Sequence, residues 1–172
     1  QKQCINIHKN VFNSFFAFLL NLKRIYVKIY LKGGHDMKNV LFITSEAVPF
    51  IKTGGLADVC GTLPKHIDKR SFDVRVIMPK YAGIKEELKQ KLEYKFNFYM
   101  NLGWRNAYVG VFEAKIDKIT FYFIDNEFYF SGQMPYSDVS WDTEKFAYFS
   151  KAALSCLPML DFKPGVIHCH DW

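Results

Sequence analysis

The sequence lacks the features that define several large classes of protein. Its 172 residues contain only four cysteines, at positions 4, 60, 156 and 169, and no C-x-x-C pair, so we expect neither a disulfide framework nor a zinc module. These thiols are instead typical of a reduced cytoplasmic protein. The longest apolar run, Val11 to Leu22, is too short for a membrane span, which needs about 20 residues. With 49% hydrophobic and 23% charged residues, disordered and repetitive architectures are excluded as well.

A strong positive charge on the folded part of the chain is also missing. The formal net charge is +6, but residues 1–36 hold six Lys or Arg against one Asp. The remaining residues hold seventeen basic against sixteen acidic side chains, which is close to neutral. Binding of a nucleic acid needs Lys and Arg clustered on the folded domain, so we expect no nucleic-acid partner.

The first 36 residues differ in character from the rest of the chain. Met37 is followed at once by the strongest strand pattern, so we place the domain at residues 37–172 and a leader of unrelated sequence at residues 1–36. A signal peptide is disfavoured because asparagines interrupt the apolar run and no small-x-small cleavage site follows it. Lys32-Gly33-Gly34 can be encoded by a purine-rich ribosome-binding string. Translated upstream DNA is therefore favoured over a natural amphipathic extension.

The start of the domain has the pattern of a parallel α/β unit. Residues Asn39 to Thr44 form a short continuous apolar run, typical of a strand that is buried on both faces. Apolar residues then recur at helical spacing after Gly54-Gly55, namely at Leu56, Val59, Cys60, Leu63 and Ile67, and Pro64 should bend the second half of this helix. Phe72 to Pro79 is the next strand. A strand, a helix and a strand in this order imply a parallel, Rossmann-like sheet.

The second half of the domain changes pattern twice. Between Glu93 and Phe130 apolar and polar residues alternate, which predicts an antiparallel meander rich in aromatics, with turns at residues 103–106 and 117–118. We expect most of these aromatics to pack in the core. From Trp141 to Leu160 the apolar residues again recur at helical spacing, which predicts a helix with Ser140 or Asp142 as its cap. Pro164 to Cys169 predicts a turn and a last short strand.

A first candidate binding motif follows the first strand, in the segment Lys52-Thr53-Gly54-Gly55-Leu56-Ala57-Asp58. Ligands of open α/β sheets bind at the carboxyl ends of the strands, and adjacent glycines let backbone N–H groups approach an anion at a helix start. Lys52 could add a full positive charge to a phosphate site. A simple turn with a solvated lysine is the alternative. The order of residues fits neither a dinucleotide fingerprint nor a P-loop, in which the lysine follows the glycines.

A second candidate motif ends the chain, at His168-Cys169-His170-Asp171-Trp172. Alternation along a strand puts His168 and His170 on one face and Cys169 on the other, which leaves too few ligands for a metal site. A buried, hydrogen-bonded strand histidine is the simplest reading. The functional alternative is a polar group at the carboxyl edge of the same sheet, facing the same crevice as Lys52.

Other enzyme classes lack their motifs. The sequence contains no G-x-S-x-G elbow, no protein-kinase motif set and no H-E-x-x-H, so serine hydrolases, kinases and zincins are not supported. Glu46, Asp58 and Asp138 are isolated carboxylates whose spacing does not indicate a glycosidase pair.

Residues 37–172 resemble the bacterial glycogen synthase and plant starch synthase family of glycosyltransferases. The resemblance rests on a specific combination, a K-T-G-G-L-A-D block near the start and an H-x-H-D-W block about 110 residues later. Further matching segments are Ser45-Glu46 with Pro49, Leu63-Pro64, V-R-V-I-M-P-K-Y at 74–81 and F-A-Y-F at 146–149.

The resemblance implies a retaining transfer of glucose from ADP-glucose to the non-reducing end of an α-1,4-glucan. It implies a two-domain GT-B fold with the active site between two Rossmann-like halves, and no required metal or other cofactor. Lys52, Gly54 and Gly55 match the family's nucleotide-sugar phosphate site. His170 and Asp58 match residues near the donor sugar, and are the candidate catalytic residues.

The resemblance also implies that these residues form an incomplete N-terminal half of such an enzyme, since no second domain follows Trp172. A half-site cannot position both substrates, so we expect the 172-residue chain to be inactive by itself. Two alternatives stay open. The enzyme could use another nucleotide sugar such as UDP-glucose, or the chain could be a non-catalytic glucan-binding module that presents Tyr94, Phe96 and Trp104 to sugars.

Overall fold

A computed structural model describes residues 38–171, which form a mixed α/β domain around one six-stranded sheet. The strands are β1 Lys38–Thr44, β2 Phe72–Pro79, β3 Glu93–Leu102, β4 Arg105–Ile116, β5 Ile119–Asp125 and β6 Val166–His170. The helices are α1 Gly55–His66, α2 Glu86–Lys89, α3 Glu127–Phe130 and α4 Val139–Ser155, followed by a 3-10 turn at Leu157–Met159. The predicted leader, Met37 and Trp172 lie outside the described residues.

The strand order is β3-β4-β5-β2-β1-β6, and the strands at its centre are parallel. β1 pairs in parallel with β2 on one side and with β6 on the other, and β2 pairs in parallel with β5. Leu41, Phe42 and Ile43 of β1 are almost completely buried, because helices and loops cover both faces of a central parallel strand. The predicted Rossmann-like parallel sheet is confirmed.

The predicted antiparallel meander is formed by β3, β4 and β5. Asp117 and Lys118 connect β4 to β5 with φ angles of 49° and 64°, the mirror-image turn that matches the twist of a hairpin. The other turn is shorter than expected, because β4 already begins at Arg105 and pairs with Leu102. Trp104 at its tip is 87% exposed and is one of the aromatics that lie outside the core.

Helix α1 lies close against the loop after β1. A Cβ atom at Gly61 would come within 2.1 Å of the Val48 carbonyl oxygen, so only glycine permits this approach. Pro64 lies inside α1, two residues before its end, and the helix stops at His66. The helix predicted from the spacing of the apolar residues is present, and two of those residues, Val59 and Leu63, are 49% and 40% exposed.

Helix α4 begins earlier than predicted. Its N-cap is Asp138, whose carboxylate accepts hydrogen bonds from the backbone N–H groups of Ser140 and Trp141 at 3.0 and 3.2 Å. The predicted caps, Ser140 and Asp142, therefore lie within the first turn. The helix ends at Ser155 instead of Leu160, because a 3-10 turn at Leu157–Met159, which contains Pro158, replaces a further helical turn.

The two crossover helices cover opposite faces of the sheet. The chain passes from β1 to β2 through α1, whereas α4 returns it to β6 on the other side of β1, and right-handed crossovers in opposite directions use opposite faces. The packing agrees, since Phe50 contacts Phe121 on one face while Phe162 lies under the Arg75 guanidinium on the other. The topological switch point therefore lies between the carboxyl ends of β1 and β6.

Candidate functional site

The loop from Ser45 to Gly54 leaves β1 at this switch point and carries Lys52 to the start of α1. The Lys52 amine donates to both carboxylate oxygens of Asp58, at 2.8 Å to Oδ1 and 2.6 Å to Oδ2. Both side chains are about half exposed, at 52% and 53%. Two of the predicted site residues are thus in direct contact, and each neutralises the other.

The glycine pair opens the amino end of α1 to solvent. Gly54 is the N-cap and supplies no side-chain cap for the first N–H groups of the helix. A Cβ atom at Gly55 would meet nothing within 4 Å, and one at Gly54 would only reach Glu46 Oε1 at 4.0 Å. Neither glycine is required by a positive φ or by protein packing. The absence of side chains leaves the helix N–H groups accessible to an anion.

Sequence reasoning treated Glu46 as an isolated carboxylate and missed its place beneath the loop. Glu46 is 1% exposed, and its Oε2 accepts hydrogen bonds from Thr53 N at 2.5 Å and Thr53 Oγ1 at 2.7 Å. The Thr44 hydroxyl in turn donates to the Glu46 carbonyl oxygen at 2.9 Å. The loop that carries Lys52 is therefore fastened to the end of β1. The available signal was the position of Glu46, two residues after the end of a buried strand.

His170 lies at the carboxyl end of β6, opposite Thr44 in the pairing register. As predicted, His168 and His170 share one face, and both rings pack against Phe42 with centroids at 4.8 Å. Burial, together with the neighbouring His168, lowers the pKa of His170 to about 4, so its imidazole is neutral at pH 7. Its Nε2 atom is buried and has no hydrogen-bond partner among residues 38–171, unlike an ordinary core histidine.

Glu46 and Asp171, which follow the ends of β1 and β6, act on the same neighbouring groups. Burial raises the pKa of the Cys60 thiol of α1, and the negative charges of both Glu46 and Asp171 add to that rise. The same two carboxylates act on Tyr136, whose pKa is raised to about 12 chiefly by burial. Glu46, which holds the loop, and Asp171, next to His170, therefore share neighbours. Within residues 38–171 no side-chain contact joins His170 to Lys52 itself.

A buried polar cluster behind this crevice also escaped the sequence analysis. Tyr136 and Ser45 share a hydrogen bond of 2.6 Å between their hydroxyl groups. Close by, Lys145 donates to Asp142 Oδ1 at 2.6 Å, and both side chains are less than a tenth exposed. Hydrogen bonds from Lys145 and Ser137 outweigh burial and lower the pKa of Asp142. The cluster ties the amino end of α4 to the end of β1.

Residues 38–171 contain no group of three or more His, Cys, Asp or Glu side chains placed to hold a metal ion. Nor does any helix among these residues have the length and apolar character needed to cross a membrane.

The family described as "Starch synthase catalytic domain" matches residues 39–172. The chain belongs to this family. It is 65% identical over 136 residues to a glycogen synthase of Lachnospira eligens and 60% identical over 136 residues to one of Lachnoclostridium phytofermentans. In both comparisons 79% of this chain matches 28% of the relative. The resemblance inferred from the K-T-G-G-L-A-D and H-x-H-D-W blocks is confirmed.

The fold is also that of a solved member of the family. The catalytic domain of starch synthase IV from Arabidopsis thaliana, determined with ADP and acarbose bound, superposes with a TM-score of 0.70 at 26% identity. The comparison covers 80% of this chain and 28% of that one. The chain therefore spans a little over a quarter of the length of the relatives it matches.

Proposed function

We propose that residues 37–172 form the N-terminal part of a glycogen synthase that transfers glucose from ADP-glucose to the non-reducing end of an α-1,4-glucan. The proposal is carried by one observation, the coincidence of Lys52 and the uncapped, glycine-lined start of α1 with the switch point of the sheet. The enzyme type and ligands in this proposal are taken from relatives named glycogen synthase and from a starch synthase bound to ADP and acarbose.

The proposed phosphate site fits the charge that develops during the reaction. As the bond between the sugar C1 and the diphosphate oxygen breaks, negative charge accumulates on the leaving nucleoside diphosphate. Lys52 and the backbone N–H groups at Gly54 and Gly55 would stabilise that charge without a metal ion. The bond from C1 to the acceptor hydroxyl oxygen forms with retention of configuration, and the acceptor proton leaves to solvent or to the departing phosphate.

Asp58 and His170 are the proposed catalytic residues near the donor sugar. Asp58 forms an ion pair with Lys52 when no diphosphate is bound, so the two side chains lie next to each other at the start of the reaction. His170 offers a neutral imidazole with a nitrogen that lacks a partner among residues 38–171, and such a nitrogen can bind a sugar hydroxyl. Because the imidazole of His170 is neutral, it adds no second positive charge to the crevice.

We propose the cytoplasm as the compartment, because Cys60, Cys156 and Cys169 are unpaired thiols that persist in a reducing environment. The 172-residue chain is expected to be inactive alone, since it supplies one side of a two-sided site. We place residues 1–36 outside the catalytic domain, as a leader.

The deciding experiment measures glucose incorporation into glycogen by the full-length protein, with ADP-glucose and UDP-glucose in competition. Preference for ADP-glucose with incorporation into glycogen supports the proposal. Preference for UDP-glucose would assign a related transferase, and binding of glucan without any transfer would assign a non-catalytic module. Incorporation by the purified 172-residue chain alone would contradict the prediction of inactivity.

A further inference from the structure

Glu46 is a buried carboxylate whose charge is not balanced by a nearby cation. It is 1% exposed, and no Lys, Arg or His nitrogen of residues 38–171 lies within 4.0 Å of it in an ion pair. Removing an ionised carboxylate from water costs free energy unless hydrogen bonds or a cation compensate. A residue of this kind needs a structural or functional reason, and the contacts of Glu46 point to one.

All the hydrogen bonds of the Glu46 carboxylate within residues 38–171 go to Thr53. Oε2 accepts from the backbone N–H of Thr53 at 2.5 Å and from its hydroxyl at 2.7 Å. Thr53 is the single residue between Lys52 and Gly54, so the carboxylate fixes the backbone at the centre of the proposed phosphate site.

Few other contacts hold this part of the loop. The Ala47–Ile51 bridge and the Val48 N–H bond to the Ala57 carbonyl oxygen, at 3.0 Å, constrain its beginning. Beyond Ile51 the exposed ion pair of Lys52 and the uncapped Gly54 supply little rigidity. Glu46 is in contrast anchored to the sheet, because its carbonyl oxygen accepts from Thr44 Oγ1 at 2.9 Å. Glu46 thus links the Thr53 segment of the loop to the end of β1 through hydrogen bonds.

We infer that Glu46 is a positioning residue, which acts through Thr53 to hold Lys52 and the Gly54-Gly55 backbone in the orientation that binds the nucleotide-sugar diphosphate. The inference rests on the proposed function of that site. Glu46 contributes as a hydrogen-bond acceptor, not as a charge, and it does not touch the reacting atoms.

Two substitutions at position 46 separate the acceptor from the charge. Glu46→Gln keeps a carbonyl oxygen that can accept both bonds from Thr53, whereas Glu46→Ala removes the acceptor. In the full-length protein we expect Glu46→Ala to weaken ADP binding, measured by calorimetry, about tenfold and to raise the KM for ADP-glucose more than it lowers kcat. We expect Glu46→Gln to restore binding to within about twofold of the wild type.

Substitutions at Thr53 test the other end of the contact. Thr53→Ser keeps both donors and should bind ADP as the wild type does, whereas Thr53→Val keeps only the backbone N–H and should give an intermediate loss. Ser45→Ala is the matched control, since it removes a hydrogen bond to Tyr136 next to Glu46 but no contact with Thr53. It should lower the melting temperature and leave ADP affinity unchanged.

Hydrogen exchange at the Thr53 amide gives a readout that is independent of ligand binding. Glu46→Ala should increase the exchange rate of this amide about tenfold or more, while Glu46→Gln and Ser45→Ala should leave it protected. Equal protection in all three variants would overturn the inference. So would a Glu46→Gln protein as defective in ADP binding as Glu46→Ala, because the charge would then be the operative feature.

The result for Lys52→Ala distinguishes this inference from the proposed function. Unchanged ADP affinity in Lys52→Ala would contradict the proposed phosphate site itself. Weakened binding in Lys52→Ala with normal binding in Glu46→Ala would retain the site and refute the positioning role alone.

Discussion

Lys52 and Asp58 hold each other across the two glycines that open α1, with the lysine amine at 2.8 and 2.6 Å from the two carboxylate oxygens. Both side chains are about half exposed, so solvent screens their attraction and the pair contributes little to stability. A diphosphate carries more negative charge than one carboxylate and approaches from the solvent side. The pair is therefore weak enough to be displaced by the ligand proposed for this site.

Replacing Lys52 by alanine should reduce kcat/KM of the full-length protein for ADP-glucose at least tenfold, because losing one charge-assisted hydrogen bond costs roughly 1.5 to 3 kcal/mol. Steady-state kinetics with glycogen as acceptor measures the effect. Lys65→Ala is a matched control, because Lys65 makes a similar exposed ion pair with Asp117, at 2.7 Å, from the other end of α1. Equal losses in the two variants would mean that Lys52 has no special role.

Replacing Asp58 by asparagine should affect binding and turnover in opposite directions. Without its carboxylate partner the Lys52 amine is free for phosphate, so ADP should bind more tightly, by up to about fivefold, the range expected for an exposed pair. Turnover should fall, since Asp58 is proposed to act near the donor sugar. Calorimetry with ADP and kinetics with ADP-glucose measure the two effects. Weaker ADP binding in Asp58→Asn would show that the carboxylate supports the phosphate site instead of competing for Lys52.

The buried imidazole of His170 should make the stability of the protein depend on pH. Burial and His168 hold the pKa of folded His170 at about 4, whereas an unfolded histidine takes up its proton near 6.5. Between these values the unfolded state binds more protons, so stability falls as the pH is lowered from 6.5 towards 4. Burial lowers the pKa of His168 as well, and that residue adds a smaller slope of the same sign.

Urea denaturation of wild type and His170→Asn at pH 4.5, 5.5 and 7.5 measures this contribution. The variant should lose less stability than the wild type between pH 7.5 and 4.5, because its position 170 no longer titrates. His168→Asn, which removes the smaller slope, is the comparison. Parallel stability curves for wild type and His170→Asn would show that His170 is not desolvated in the folded protein.

The sequence identified the features that depend on local pattern. Continuous apolar runs marked β1 and β2, alternation marked the meander, and Gly54-Gly55 marked the start of α1, since each follows from the spacing of residues along one element. The partnership of Lys52 with Asp58 was not predicted, because Lys52 lies in the loop before α1 and the path of that loop decides which side chain its amine meets. That Nε2 of His170 has no hydrogen-bond partner within the described residues could not be predicted, because it depends on what packs around the ring.

Features that depend on contacts between distant segments were also missed, because the spacing of residues along one element does not show such contacts. The role of Glu46 requires the loop to fold back so that Thr53 lies over the end of β1, and no local pattern encodes that. Asp138 was overlooked as the cap of α4 because Ser140 and Asp142 are equally suitable residue types close by. Val59 and Leu63 have core-like spacing, yet α1 turns them towards solvent.

Substitutions of Gly55 and Gly61 in α1 test whether a glycine is needed for ligand binding or for packing of the protein. Gly55→Ala should leave stability unchanged or slightly higher, because the added Cβ meets nothing within 4 Å and alanine favours the helix by up to about 1 kcal/mol. Gly61→Ala should destabilise by about 1 to 3 kcal/mol, because its Cβ would lie 2.1 Å from the Val48 carbonyl oxygen and the backbone must shift.

Ligand binding should follow the opposite order in these two variants. The Cβ at position 55 would occupy open space at the start of α1, where the diphosphate is proposed to bind, so ADP affinity should fall in Gly55→Ala even though the fold is intact. Gly61→Ala should bind ADP normally at temperatures where it remains folded, because position 61 faces the loop and not the crevice. Thermal denaturation and calorimetry on the same two proteins provide the comparison. Normal ADP affinity in a fully stable Gly55→Ala protein would mean that the open start of α1 is not where the diphosphate binds.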